Sequence, residues 1–356
     1  LTGSTGERSP VTLADPAAAL LFVGGVAYAV FGGADFGSGV WDLLAGDAER
    51  GGALRRQIDH SIGPVWEANH VWLIYVLVFM WTAFPTAFAA MVTTLAVPWC
   101  LVGLGIVLRG TGFAFRKYSA TLGQARLYGA LFAGSSVITP FFLGMIAGAI
   151  ASGRVPLEGG DVWTSWTGPT SWVGGALAVL TCSFLAASFL AADAQRAGHT
   201  DLAEQCGRRA LVSGVVSGAV ALLAVPALEL DAESLAGRLQ GRGAPLVLLS
   251  AIAGLVALVQ LARREYQRAR LAAVVAVASV VIGWGVGQYP DVLVDHASVD
   301  EVAGARAALV GLVVVFVVAA VTAVPALAWL YVLVNSHRWS ADERPGDRPE
   351  EPRDER

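Results

Sequence analysis

Charge is what this chain has least of. Asp, Glu, Lys and Arg make up 15% of its 356 residues, against about a quarter in soluble domains. With 55% hydrophobic residues, that scarcity excludes a particle wrapped in solvated side chains. Cysteine is nearly missing. Cys100, Cys182 and Cys206 form no Cys-x-x-Cys pair, which excludes a disulfide framework and a thiolate metal site and leaves them as small buried hydrophobes. There are three methionines and five histidines, and only His70 of the histidines falls inside an apolar run. Haem held by two axial ligands of this chain is therefore not expected, nor any other metal. There is no Walker motif, dinucleotide fingerprint, nucleophile elbow or basic patch for nucleic acid. An autonomous ATP-driven pump has no basis here.

What is present is a series of long apolar runs divided by short charged loops, the pattern of an all-α polytopic membrane protein. Nine spans are read, at 17–44, 62–83, 86–108, 124–151, 171–192, 209–228, 244–262, 271–289 and 305–334. Each suits a hydrocarbon core, which needs about 20 residues. Only Ala83-Phe84-Pro85 divides the second from the third, so those two are expected as a tight hairpin with Pro85 in the first turn of the third helix. Residues 193–208 read as a short polar connection. The arrangement suits two four-helix bundles, 17–151 and 171–289, joined by an outside loop at 152–170. A ninth, peripheral helix follows an outside loop within 290–337. A polar N-terminal segment (1–16) shows no charged-then-apolar signal-peptide pattern. The tail from 338 to 356 is rich in Pro, Arg and acids and reads as disordered.

Orientation follows from the arginines. Nineteen of the 24 basic residues fall in alternate loops and the C-terminal tail. The positive-inside rule then puts the N-terminus outside and the C-terminus in the cytoplasm. An odd number of spans requires the same.

Against this apolar background a few polar residues stand out, because an ionisable side chain inside a membrane is costly and functional by default. Asp35 lies about nine residues before the cytoplasmic end of the first span, hence about 13 Å deep at about 1.5 Å per residue. Glu67 and His70 occupy the first two turns of the second span, share a face by their i,i+3 spacing, and are flanked by Trp66 and Asn69. Arg109 closes the third span on the cytoplasmic side. A carboxylate in low dielectric resists ionisation unless a cation or hydrogen bond offsets it, and such groups build proton relays. Three readings stay open: a relay through Asp35, Glu67, His70 and Asn69; a structural ion pair of Arg109 with Asp35 or Glu67; and Arg109 as an orientation-setting charge at a helix end. Gly24, Gly25, Gly32, Gly33, Gly37 and Gly39 allow close helix contact along the first span.

The residues that carry a family likeness are Gly33-x-Asp35-Phe36-Gly37-x-Gly39 and Ile62-Gly63-Pro64-Val65-Trp66-Glu67-x-Asn69-x-x-Trp72-Leu73. Ala83-Phe84-Pro85, Leu108-Arg109, Ser136 to Pro140, Gly144 and Gly153-Arg154-Val155-Pro156 extend it. Over about the first 156 residues the chain resembles subunit II of the cytochrome bd-type quinol oxidases. The resemblance implies a bacterial plasma-membrane protein in a respiratory complex that oxidises quinol and reduces dioxygen to water, with no activity of its own. It implies haem b and haem d, and the quinol site, in a partner subunit I paired as a pseudo-symmetric heterodimer. It leaves room for a bound quinone and for a small single-span accessory subunit. By motif match Asp35 and Glu67 would be the acids that help deliver cytoplasmic protons, and Arg109 the cation beside them. Gly33, Gly37, Gly39, Gly63, Pro64 and Trp66 would serve helix packing. Glu67 stands where Asp is commoner, and His70 where an acid or amide is more usual. A secondary transporter working through buried Asp, Glu and Arg, and a purely structural assembly subunit, are the competing classes.

Overall fold

The computed structural model describes residues 12–46, 48–62, 66–116, 118–119 and 121–335. The N-terminal segment before Thr12, the tail from residue 336, and Gly63 and Pro64 lie outside them. The chain is a stack of long helices with one small hairpin of strands. The first span is continuous from Ala14 to Leu43: α1 (Ala14–Ala27), a π-helical turn (Tyr28–Gly32) and α2 (Gly33–Leu43). An amphipathic α3 (Ala48–Ile62) follows, then α4 (Trp66–Ala83), the short α5 (Pro85–Thr94), α6 (Ala96–Arg116) and α7 (Leu122–Ala151). After the loop come α8 (Pro169–Arg196), α9 (Thr200–Asp231), the short α10 (Glu233–Gln240), α11 (Ala244–Ala262) and α12 (Tyr266–Gln288). Strands β1 (Asp291–Leu293) and β2 (Ala297–Ser298) pair antiparallel before α13 (Arg306–Asn335), which leans on α1 and α4. Among the described residues, seven stretches are long and apolar enough to cross a membrane, and eight if the bent pair α4–α5 counts as one.

Two sequence expectations are corrected. The second and third spans do not meet in a simple hairpin. Pro85 does begin a helix, but α5 turns 117° from the axis of α4 and ends at Thr94. The third span then starts afresh at Ala96 and runs to Arg116, about two turns beyond the 86–108 read from hydropathy. The break is held from a distance: Thr94 is fully buried and its hydroxyl accepts a hydrogen bond from the Gly160 amide at 2.9 Å. Residues 193–208 are not a loop either. Only 197–199 separate α8 from α9, and the polar residues around them sit on helix ends that pair charges, as in Arg270 with Asp193 at 3.3 Å. Hydropathy finds where the lipid stops, not where the helix does.

Small residues let the helices close up around α2, which lies between α7 and α8. Gly37 faces α8 so tightly that a Cβ would strike the Cys182 carbonyl and stand 2.8 Å from Ala186 Cβ. Gly39 faces α7, where a Cβ would run into Ser136. On the other side of α7, Gly112 of α6 leaves only 2.7 Å for a side chain before the Tyr128 carbonyl. Such contacts replace the hydrophobic effect, which cannot drive helices together in lipid. Gly25, grouped with these by spacing, meets nothing within 4 Å, and Cys100 is exposed on α6 rather than buried.

Gly37→Ala should therefore destabilise the protein by about 1–3 kcal/mol through overpacking, read as a lower midpoint of thermal unfolding in detergent. Gly25→Ala should leave that midpoint unchanged or slightly higher.

Candidate functional site

Close packing between α2, α6 and α7 buries a complete ion pair. Asp35 is 2% exposed and Arg109 1%, the largest fully buried side chain among the described residues. Arg109 does not close its helix, as the sequence reading had it. With α6 extending to Arg116, it sits in the helix interior, two turns from the end. The Arg109 Nη2 pairs with Asp35 Oδ1 and also donates to the Asp35 carbonyl at 3.0 Å. Its Nη1 donates to Ser136 Oγ on α7. Ser136 is in turn held by a bond to the Phe132 carbonyl at 2.5 Å.

The plane of the guanidinium is sandwiched by aromatic rings, Phe36 at 4.7 Å and Phe132 at 4.6 Å from their centroids. Cation–π contact of this kind strengthens on desolvation. A flat, forked, always charged group is required to satisfy two faces and three acceptors at once, which Lys cannot do.

Asp35 is only half satisfied. Oδ1 meets Arg109, and Ser38 Oγ bonds the Asp35 carbonyl at 2.5 Å. Oδ2 is buried with no hydrogen-bond partner among the described residues. A buried carboxylate oxygen left open is where a proton or a water can be held.

One helical face further on, Asp42 is also buried, at 5% exposure. It sits two turns after Asp35 and is gripped from both sides: Arg55 Nε of α3 reaches Oδ1 at 2.7 Å, and Arg116 Nη1 of α6 reaches Oδ2 at 2.5 Å. Arg116 also approaches the exposed Asp59 at 4.0 Å. Asp35, Ser38 and Asp42 thus form a polar column along α2, from the membrane interior to the arginine-rich end. The sequence reading missed Asp42 because it sits where the apolar run ends. Its i,i+7 spacing from Asp35 was the available signal.

The second-span residues are placed beside this column. His70 is half-buried and edge-on to Trp66, with ring centroids 5.8 Å apart. Asn69 is buried. Trp66 packs on Phe113 at 5.1 Å, and Phe113 on Phe132 at 5.8 Å, a chain of rings from α4 to the Arg109 sandwich. Glu67 lies in the first turn of α4, with its side chain outside the described residues. The other described histidines stand apart: His60 on α3, His199 before α9, and His296 with its ring nitrogen 2.7 Å from the Gly153 carbonyl. No metal-holding group of three His, Cys, Asp or Glu side chains occurs among the described residues.

This geometry defines a polytopic helical membrane protein with a buried Asp–Arg pair at the junction of its first, third and fourth spans. The profile of cytochrome bd terminal oxidase subunit II matches residues 13–334, and the chain belongs to that family. It is similar to the cytochrome bd ubiquinol oxidase subunit 2 of Bacillus subtilis, 34% identical over 128 residues, 36% of each chain. It is 31% identical over 129 residues to the Escherichia coli K12 cytochrome bd-I ubiquinol oxidase subunit 2, covering 36% of this chain and 33% of that one. A putative cytochrome bd menaquinol oxidase subunit II of Bacillus subtilis is 23% identical over 194 residues, 53% of this chain and 55% of that one. The chain thus spans between a third and just over half of the length of these relatives. Its fold matches a chain in the structure of bd oxidase from Geobacillus thermodenitrificans with a TM-score of 0.77, at 22% identity, covering 91% of this chain and 99% of that one.

Arg109→Ala should cost about 3–5 kcal/mol, because it strands the buried Asp35. Arg109→Lys should recover less than half of that, lacking the fork. The double change Arg109→Met with Asp35→Leu should be markedly more stable than Arg109→Ala alone. Thermal unfolding of the three purified variants in one detergent decides the order.

Proposed function

We propose that this chain is the second subunit of a bacterial quinol:oxygen oxidoreductase, contributing no haem ligands and helping carry protons from the cytoplasm. Its partner in this reading is a haem-bearing subunit I that holds haem b, haem d and the quinol site. A small single-span subunit could complete the complex, and a quinone could be bound within it. The related proteins are named for both ubiquinol and menaquinol, so the donor class proposed is a membrane quinol. The chain lies in the cytoplasmic membrane with its N-terminus outside and its arginine-rich end inside.

The observation that carries the proton role is the open oxygen of Asp35. A carboxylate wanted only as a clamp for Arg109 would use both oxygens, as Asp42 does with Arg55 and Arg116. Asp35 instead keeps Oδ2 free, above a polar column that begins at the cytoplasmic end. Asp42, held on both oxygens by Arg55 and Arg116, fixes the cytoplasmic end of that column. Ser38 lies between the two acids. Arg109 pairs with Oδ1 and leaves Oδ2 as the oxygen that would take the proton for transfer. His70 and Glu67 on the neighbouring helix supply the second branch of acids and bases.

Two results test the reading. Gentle-detergent pull-down of the chain should bring a second large membrane subunit whose reduced-minus-oxidised spectrum has b- and d-type bands and which oxidises quinol with oxygen. A colourless chain purifying alone from a haem-competent host would overturn it. Within the complex, Glu67→Gln should lower turnover by about tenfold or more, the size of a lost proton-transfer group, at unchanged haem content. Loss of haem instead would make the role one of assembly.

A further inference from the structure

The π-helical turn Tyr28–Gly32 interrupts the first span one turn before Asp35. Such turns are rare and occur chiefly at functional sites. Tyr28 is the first residue of this turn. Tyr28 lies across the bare backbone of Gly32, where a Cβ would stand 2.8 Å from Tyr28 Cε2 and 2.9 Å from Cδ2. The ring then meets Phe36 edge-on, centroids 6.3 Å apart at 86°. Phe36 is one of the two rings that sandwich Arg109. The phenol therefore runs along the helix toward Phe36, the residue next to Asp35 and one of the rings over Arg109.

That hydroxyl has the same defect as the carboxylate. Its ring is half-buried, but Oη is fully shut away and has no hydrogen-bond partner among the described residues. A buried polar atom without a partner is costly. Two of them, Tyr28 Oη and Asp35 Oδ2, belong to residues seven apart on the first span. A packing role for Tyr28 would be met by Phe, with nothing left unpaired. Internal water bridging two such groups satisfies both.

We propose that Tyr28 is the proton carrier next after Asp35, its hydroxyl joined to Asp35 Oδ2 by bound water across the π turn. This rests on the proton-delivery reading above and extends it toward the middle of the membrane. Protonated Asp35 gives its Oδ2 proton to the water, and the water gives one to Tyr28 Oη. The hydroxyl releases its own proton to a second bound water on the side away from Asp35 and remains neutral. Asp35 returns to the carboxylate paired with Arg109 and is reloaded from the Asp42 end. No group is oxidised or reduced in the chain, and one proton entered has left.

The test uses the complete complex with subunit I. Tyr28→Phe removes one oxygen that bonds no protein group, so haem content should be unchanged. Turnover should fall at least several-fold, and the solvent deuterium isotope effect on the remaining rate should rise. Gly32→Ala keeps the hydroxyl but pushes the ring aside, and it should give the same pair of changes. If Tyr28→Phe turns over at the wild-type rate with an unchanged isotope effect, the proposal is overturned. Should Tyr28→Phe fail to assemble, Gly32→Ala decides in the same way. Asp35→Asn, measured alongside at matched haem content, separates the two levels: slow Asp35→Asn with normal Tyr28→Phe removes Tyr28 alone, while normal rates in both remove the proton-delivery reading itself.

Discussion

An arginine buried to 1% exposure inside a membrane protein fixes everything around it. The charge cannot be neutralised by losing a proton, so the fold must bring it an anion, acceptors for its other N–H groups and a polarizable lining. α2 supplies the anion in Asp35, α7 the acceptor in Ser136, and Phe36 and Phe132 the two faces. Those demands require α2, α6 and α7 to approach closely and in one register. Gly39 of α2 and Gly112 of α6, both against α7, make that approach sterically possible, and Gly37 does the same for α2 against α8. Packing and charge are thus two sides of one constraint: the helices touch because glycines line them, and they touch in this register because Arg109 has only one place to be satisfied.

From that constraint the polar column follows. Asp35 must face α6 to meet Arg109, so the residues a turn and two turns later on the same face, Ser38 and Asp42, face inward as well. Asp42 then falls at the level of Arg55 and Arg116, at the arginine-rich end. Tyr28 is the exception in the other direction. The π turn at Tyr28–Gly32 lies between it and the pair, and its ring packs over Gly32 and edge-on to Phe36. The same helix therefore holds a satisfied acid near the surface, a half-satisfied acid in the interior, and an unsatisfied phenol beyond it.

Much of this was legible in the sequence. Scarce charge against long apolar runs gave the helical membrane class, and Asp35 and Arg109 stood out because ionisable residues in such runs are costly. The Gly33-x-Asp35-Phe36-Gly37-x-Gly39 pattern pointed to the family that the profile over residues 13–334 identifies. What escaped was whatever depends on partners distant in sequence. The break at Leu95 lies inside an unbroken apolar run, where Pro98 cannot bond the Thr94 carbonyl and Thr94 binds the distant Gly160. Hydropathy alone starts the third span too early and puts Arg109 at a helix end. Asp42 looked like an ordinary boundary residue until α3 and α6 brought arginines to it. The π turn leaves no mark in hydropathy. Helix ends such as those of α8 and α9 were lost because polar residues extend a helix past the lipid as readily as they end it.

The central claim is that Asp35, though paired with Arg109, takes up and gives back a proton during turnover. The direct measurement is the infrared difference spectrum of the intact complex between its reduced and oxidised states, with its aspartates labelled with carbon-13. A protonated-carboxyl band should appear that shifts with the label, responds to deuterium oxide and vanishes in Asp35→Asn. A spectrum with no aspartate carboxyl change, from a complex turning over normally, would make Asp35 a clamp for Arg109 and contradict the account.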